Sequence, residues 1–459
     1  MENFTIGDII KATYGSLVEG DPNVNVSNIS TDSRTIKKGD LFVALIGERF
    51  DAHDFAFQAI KQGAMGAILS HEVKGLDELS AQSSIVMVKD TTKALGDIAR
   101  YYKNKFSVTV IGITGSNGKT TTKDMASSVL SGKFSVLKSE GNLNNTIGLP
   151  LTLFRLSSAY DTAILEMGIS IPGEMRQLVE IAQPNVAVVT NISTTHLEFL
   201  GSIEGVAKEK QILAEYAESA VLNADDPYVA KMRSVVKGNV IFYGIDKPAD
   251  VIAKDIILDQ DGRPEFTVND KRIKLLSVGR HNVYNALASI SVGMLFGVGL
   301  DSIKASLESY QHTPVRMQRL MVDGVTIIND TYNSNPVSMR AAVDLLKNLK
   351  CDGRKILVAG DMLELGEQSD EFHNATGRYI GLSGIVEMLV TVGDKADKMV
   401  ESAIETGMKK VIACKTNSEA AEYLRKTMNN GDIVLIKGSR GMKMEQIVKA
   451  IEKVGNGIN

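Results

Sequence analysis

The chain has 459 residues, 44% hydrophobic and 23% charged, with a formal net charge of −4. That is too long for one core and, at about 150 residues per domain, implies about three domains of an ordinary folded protein. With no run of like charges there is no electrostatic footprint for nucleic acid or anionic lipid, and no uninterrupted apolar stretch reaches membrane length.

The first residues, MENFTIGDIIKATYG, are amphipathic and carry acids instead of a basic start and an apolar run. A cytoplasmic protein without membrane insertion is therefore expected. In residues 1–103, KKGDLFVALIG reads as a lysine-rich turn into a buried strand and GAMGAILS as a second strand, so a small α/β unit is predicted. From 104 to 313 the apolar runs VTVIGI, TAILEMG, NVAVVTN, SAVLNADD and NVIFYG alternate with helical stretches such as SIEGVAKEKQILAEYAE. That alternation predicts a mainly parallel, doubly wound sheet. From 314 to 459 it restarts with VTIINDT, KILVAGD, MLVTVGD, KVIACKT and DIVLIKG, a second, Rossmann-like sheet domain. The fold class is thus α/β in three domains. Cys351 and Cys414 lie far apart and read as buried thiols.

The densest chemistry lies in VTVIGITGSNGKTTTKDM, residues 108–125. A strand runs into glycines and then into a helix expected to begin near Lys119. In that geometry the amides of Gly115, Ser116, Asn117 and Gly118 converge on an anion, the helix dipole helps, Lys119 adds a charge and Thr120 offers magnesium a hydroxyl. The spacing departs from the commonest phosphate loop, which has a small residue where this chain has Ile113. A phosphate loop needs a metal carboxylate from a neighbouring strand, and TAILEMG supplies Glu166; taken alone it reads equally well as a solvated strand end. NVAVVTNISTTHLEFLG delivers His196 to the ligand edge of the sheet, although a lone histidine is more often structural. Lys208 and Lys210 read by composition as a solvent face. Asp394-Lys395-Ala396-Asp397 lacks the asparagine of a guanine site and reads as a turn, so adenine is favoured. These residues imply nucleotide phosphate chemistry and leave the acceptor open.

In order along the chain come TGSNGKTT, GNLNNTIGLPLTL, LEMGIS, TNISTTHLEFLGS, AKEKQIL, NADDP, GRHNVYNALAS, VRMQR, NDTYNSNP and KGSRGMKME. Together these blocks resemble the Mur ligase family, ATP-dependent amide-forming enzymes of peptidoglycan precursor synthesis, over nearly the whole chain. STDSRTIKKGDLFVALIGERFDAHDF is similar to the uridine-diphosphate-binding domain of members that add the third amino acid or a D-alanyl-D-alanine dipeptide. NDTYNSNPVSMRAAVD and GDMLELGEQSDEFH look like the dipeptide-adding members, and no DNPR-type motif of the diaminopimelate-adding ones is present. Ala52 departs from the glycine usual in relatives.

The resemblance implies that a peptide carboxylate attacks the γ-phosphate of ATP and that an amine then attacks the acyl phosphate. It implies that Lys119, Thr121 and the loop amides hold phosphates, that Thr120 and Glu166 hold one Mg2+, and that His196 holds a second with Lys210 as a carbamate. Asn282, Arg316 and Asp330 would complete the nucleotide site. Ser33 and Arg34 would meet the uridine diphosphate, Asn144, Asn145 and Thr146 the sugar-peptide, and Tyr332, Asn333 and Asn335 the dipeptide. The partners implied are small molecules only, the protein acting as a monomer. Whether the tripeptide ends in lysine or diaminopimelate stays open. Folylpolyglutamate synthases share a similar loop but do not carry the uridine-type domain before it.

Overall fold

The computed structural model describes residues 1–75, 83–311 and 316–455. The expected boundary at 313/314 lies outside the described residues; the one at 103/104 coincides with the end of the helix Thr91–Lys103.

The first unit is a five-stranded sheet ordered Ser16–Glu19, Ser84–Met87, Gly66–Leu69, Asp40–Val43, Asn28–Ser30. All neighbours are parallel except the first pair. GAIL and DLFV are buried at every position, as strands covered on both faces must be. Ala52 sits in a 3₁₀ turn capped by the Asp51 side chain, outside the left-handed region, so the missing glycine carries no backbone penalty there.

The second unit carries a seven-stranded sheet, parallel throughout, ordered Val251–Ile252, Val240–Gly244, Ser219–Asn223, Val186–Val189, Thr109–Thr114, Thr162–Glu166, Val136–Lys138. The strand that feeds the glycine loop is thus flanked by the strand that ends in Glu166 and the strand that leads to His196. From the loop strand the chain passes to the edge strand Val136–Lys138, returns to Thr162–Glu166 beside the loop strand, and then builds the other side outward from Val186–Val189. Its carboxyl end is the switch point at which open α/β sheets bind ligands. A three-stranded antiparallel meander follows, Lys254–Leu258, Pro264–Val268 and Lys271–Lys274. It was not anticipated, although PEFTV alternates buried and half-buried positions and Asn269-Asp270 makes a turn with both φ positive.

The third unit is a six-stranded sheet ordered Gln318–Val322, Val325–Asp330, Ile433–Lys437, Lys355–Gly360, Met388–Val392, Val411–Cys414. Only the opening hairpin is antiparallel, and Asp323-Gly324 forms its turn with both φ positive. Asp394–Asp397 is a turn into the helix Asp397–Glu405, as expected.

The units are joined in two different ways. One continuous core runs from Phe4, Ile6 and Ile9 through Leu95, Ile98 and Tyr102 into Leu149, Leu153 and Leu178 of the second unit. The Tyr102 hydroxyl donates to Leu156 O across that seam (2.8 Å). The two cores of the third unit are built of buried residues from Met317 onward. Its contacts with the loop of the second unit are polar.

Candidate active site

The glycines of the loop are sterically required. Gly115 has φ 146° and a Cβ there would lie 1.9 Å from Thr190 Oγ1; Gly118 has φ 82° and a Cβ would lie 2.4 Å from Asn285 Oδ1. The helix Lys119–Leu130 starts at the expected residue. Lys119 Nζ donates to Gly115 O (2.9 Å), and burial lowers its pKa from the ordinary lysine value. Asn117 is held at every polar atom. Its N donates to Asn191 Oδ1, its O accepts from Thr190 Oγ1 and Asn191 Nδ2, its Nδ2 donates to Ser193 Oγ and its Oδ1 accepts from Asn335 Nδ2. The loop is therefore preorganised by side chains, with one tie from the third unit.

Glu166 is 1% exposed. Thr120 Oγ1 donates to its Oε2 and Asn144 Nδ2 to its Oε1, both at 2.8 Å. Among the described residues no lysine, arginine or histidine forms an ion pair with it. A buried carboxylate served by neutral donors beside a threonine hydroxyl fits a hard divalent cation. Arg316 Nη2 donates to Thr120 Oγ1 (2.9 Å), and its guanidinium lies 3.7 Å from the Tyr332 ring centroid.

A cavity of about 700 Å3 opens between the two larger sheets. It brings together Ser116, Asn117, Gly118, Lys119, Thr121, Asn144, Asn145, Glu166, His196, Asn282, Arg316, Asp330, Tyr332, Asn333 and Asn335. Thr120 touches it through Glu166 and Arg316. Thr146, Ser33, Arg34 and Lys210 do not line it. Several of these residues also have partners within the protein. Asn144, expected at the sugar-peptide, lines the cavity and donates to Glu166. Asn145 Oδ1 accepts from Gly148 N at the start of the helix Gly148–Leu153. Asn335, expected at the dipeptide, caps the helix Pro336–Asn348 and reaches Asn117. Arg34 is folded onto Asp32 on an exposed turn, 2.7 Å away.

Lys210 departs from the solvent-face reading. It is 1% exposed on the helix Ile203–Tyr216, whereas Lys208 is exposed. Burial, and then the charge of Lys119, push its pKa well below the ordinary lysine value, opposed by Glu209 and Glu174. The sequence held a signal: Val206 and Leu213, four residues before and three after, share its helix face. Lys437 was missed. It is paired in register with Asp330 on the adjacent strand, and its Nζ reaches Asp330 Oδ2 (2.5 Å) and Asn333 O (2.9 Å). Asn191 and Ser193 were also missed, though they lie in the quoted TNIST block.

Among the described residues one other cluster has metal-ligand spacing, Asp51, His53 and His71. It is already satisfied internally. Ser70 N donates to His53 Nε2 (2.8 Å), so His53 Nδ1 carries the hydrogen facing Asp51 Oδ1 (2.6 Å), while His71 Nε2 lies 2.9 Å from Asp51 Oδ2. The two rings stack at 3.9 Å and 20°, so one ion cannot lie in both ring planes. Asp51 is held to about 2: burial raises it, and the His53 amide, His71 and the His53 ring outweigh that. The Asp51 hydrogen bond raises the pKa of His71. A raised histidine stabilises the fold fully below its unfolded value, about 6.5, and the effect is lost as pH rises through the folded value. His71→Ala should therefore lower the melting temperature more at pH 5.5 than at pH 8.5, by a small margin because the ring is half exposed. Thermal scans of both proteins at the two pH values check this.

Comparison with known proteins matches three family descriptions in order. These are "Mur ligase family, catalytic domain" at residues 25–103, "Mur ligase middle domain" at 113–293 and "Mur ligase, glutamate ligase domain" at 315–440. The UDP-N-acetylmuramoyl-tripeptide--D-alanyl-D-alanine ligase of Bacillus subtilis (strain 168) is 36% identical, with 97% of each chain covered. The enzyme of that name from Escherichia coli (strain K12) is 35% identical over 99% of this chain and 100% of its own. A crystal structure of MurF from Acinetobacter baumannii superposes with TM-score 0.90 at 32% identity, covering 98% of this chain and 99% of that one. MurF ligase from Thermotoga maritima in complex with ADP gives 0.82 at 31% identity, covering 94% and 98%.

Proposed function

The chain belongs to the Mur ligase family, and from that membership we propose that it joins D-alanyl-D-alanine to UDP-N-acetylmuramoyl-tripeptide, converting ATP to ADP and phosphate. The product is the UDP-linked pentapeptide precursor of peptidoglycan, which ties the enzyme to cell-wall growth and division as a cytoplasmic monomer. The observation that carries the reading is the cavity between the two larger sheets, where a phosphate loop faces Arg316, Asp330 and Asn333 of the third unit.

Both steps of such a reaction crowd anions. The peptide carboxylate must approach the γ-phosphate, and the acyl phosphate must then be held while an amine attacks its carbonyl. This chain meets that demand with fixed charges, Lys119 and Arg316, held beside Tyr332 and a loop that Asn117 preorganises; the Ser116 and Asn117 amides are themselves taken up by Asn191. Closure of the units over the cavity would keep water from the activated carbonyl. Thr120 and Glu166 would hold one Mg2+, and His196 with Lys210 as a carbamate another, supplying charge stabilisation at the phosphoryl and acyl oxygens. The buried Lys210, pushed toward its neutral form, suits carbamate formation, which needs an unprotonated amine.

ADP release in the presence of UDP-linked tripeptide should rise severalfold or more when D-alanyl-D-alanine is added, and mass spectrometry of the product from lysine- and diaminopimelate-containing tripeptides should identify the preferred substrate. ATP hydrolysis indifferent to the dipeptide would instead mark a nucleotide switch.

A further inference from the structure

We infer that Glu364, a residue of the third unit, is a positioning residue for His196 and the means by which that unit sets the histidine in its working orientation; the inference rests on the ligase reading above. His196 follows the strand Val186–Val189 and takes a left-handed conformation, φ 56°, at the head of the short helix Leu197–Leu200. Its own backbone costs energy to hold there, so the conformation persists only if surroundings impose it. They come from the third unit. Glu364 Oε2 lies 2.5 Å from His196 Nδ1, a buried nitrogen that has no aligned hydrogen-bond partner, so the two are paired by charge and proximity. Glu198 N donates to Glu364 O (3.3 Å). Glu364 is itself left-handed, φ 63°, and the following turn needs a glycine: a Cβ on Gly366 would lie 3.1 Å from Glu198 Cα. Two unusual backbone conformations thus face each other across the boundary between units.

A carboxylate this close to Nδ1 favours the tautomer with hydrogen on Nδ1 and the lone pair on Nε2. Nε2 is then the nitrogen left for the cavity that His196 lines. The same loop is tied to the segment expected at the incoming amine: Leu363 N donates to Ser439 Oγ (2.9 Å), and Ser439 Oγ donates to Ser334 O (3.2 Å). Ser334 lies between Asn333 and Asn335. Glu364 therefore connects His196 to the third unit's binding segment and lets the position of one depend on the other.

The test has one arm without substrate and one with it. The chain has six histidines, so the His196 ring signal can be assigned in 15N NMR by comparison with His196→Ala. In metal-free, nucleotide-free protein the wild type should show the Nδ1–H tautomer, and Glu364→Ala should lose it. In turnover, Glu364→Ala should lower kcat about 10- to 100-fold with KM for ATP and UDP-tripeptide changed less than about threefold. Glu364→Gln, which keeps an acceptor oxygen and the shape, should recover most of that loss. In a His196→Ala background Glu364→Ala should cost nothing further. An Nε2–H tautomer in the wild type, an unchanged ring signal in Glu364→Ala, or full additivity of the two substitutions would overturn the proposal. Absence of dipeptide-dependent ADP release by the wild type would instead refute the ligase reading and leave the tautomer measurement to decide this one.

Discussion

Lys119→Ala is expected to lower kcat/KM by about thirty-fold or more, that is by ~2 kcal/mol or more of transition-state stabilisation. The lysine is the one full charge on the loop, and it sits at the first turn of the helix Lys119–Leu130. Its ammonium donates to Gly115 O, so it is held over the loop and not free in solvent. In the acyl-phosphate step negative charge builds on the transferring phosphoryl, and no other loop side chain carries positive charge to meet it. UDP-tripeptide affinity should be unchanged by calorimetry, because the removed group belongs to the loop proposed to hold the phosphates of ATP. Loss of that affinity with ATP turnover intact would assign the loop to the wrong substrate.

The second large effect is expected at Lys210, with activity and stability moving in opposite directions. Lys210→Ala should lose about 100-fold or more in kcat, with partial recovery in added acetate, whose carboxylate can enter the space left by the side chain and replace an anionic oxygen ligand. Lys208→Ala, on an exposed face, should keep most activity. Lys210→Met, which preserves the packing, should be equally inactive yet melt at a higher temperature than the wild type at pH 7 in metal-free buffer depleted of carbon dioxide. The sign follows from linkage. Burial depresses the folded-state pKa of Lys210 below its unfolded value near 10.4, so the unfolded chain binds more protons between the two values. Wild-type stability therefore rises with pH across that window, and the advantage of Lys210→Met should shrink as pH approaches about 10.5. A lower melting temperature for Lys210→Met at pH 7, or full activity of Lys210→Ala, would return this lysine to a structural role.

Strand-end residues were the legible part of the site. A parallel strand buried on both faces is written as a continuous apolar run, and the polar residues that close it stand out: Glu166 after TAIL, Asn329 and Asp330 after VTII. The carboxyl edge of the sheet then collects them. What could not be read was decided by neighbours distant in sequence. Asn144 is twenty-two residues from Glu166, and its role follows from a loop that folds over the sheet edge. Lys437 becomes a site residue because its strand lies beside the one ending in Asp330, and strand order has no local signature. Lys210 was misjudged by composition, since four charged residues among its helix neighbours obscured the narrow apolar face it shares. The antiparallel meander was written in the period-2 pattern of PEFTV and was overlooked beside the longer parallel runs. Ser33 and Arg34 were proposed from resemblance alone, and on the exposed turn capped by Asp32 neither lies at the cavity.

The continuous core between the first two units has a thermal meaning. Ile6, Tyr102 and Leu149 lose their burial together, so the N-terminal sheet and the nucleotide-binding sheet cannot melt separately without exposing a shared apolar surface. The third unit builds two cores of its own and meets the rest through hydrogen bonds, the ion pairs Arg319–Asp261 and His196–Glu364, and limited apolar packing by Phe372 and Val278. The first two sheet domains therefore amount to one cooperative block, and a fragment cut between them would leave both halves with an open core.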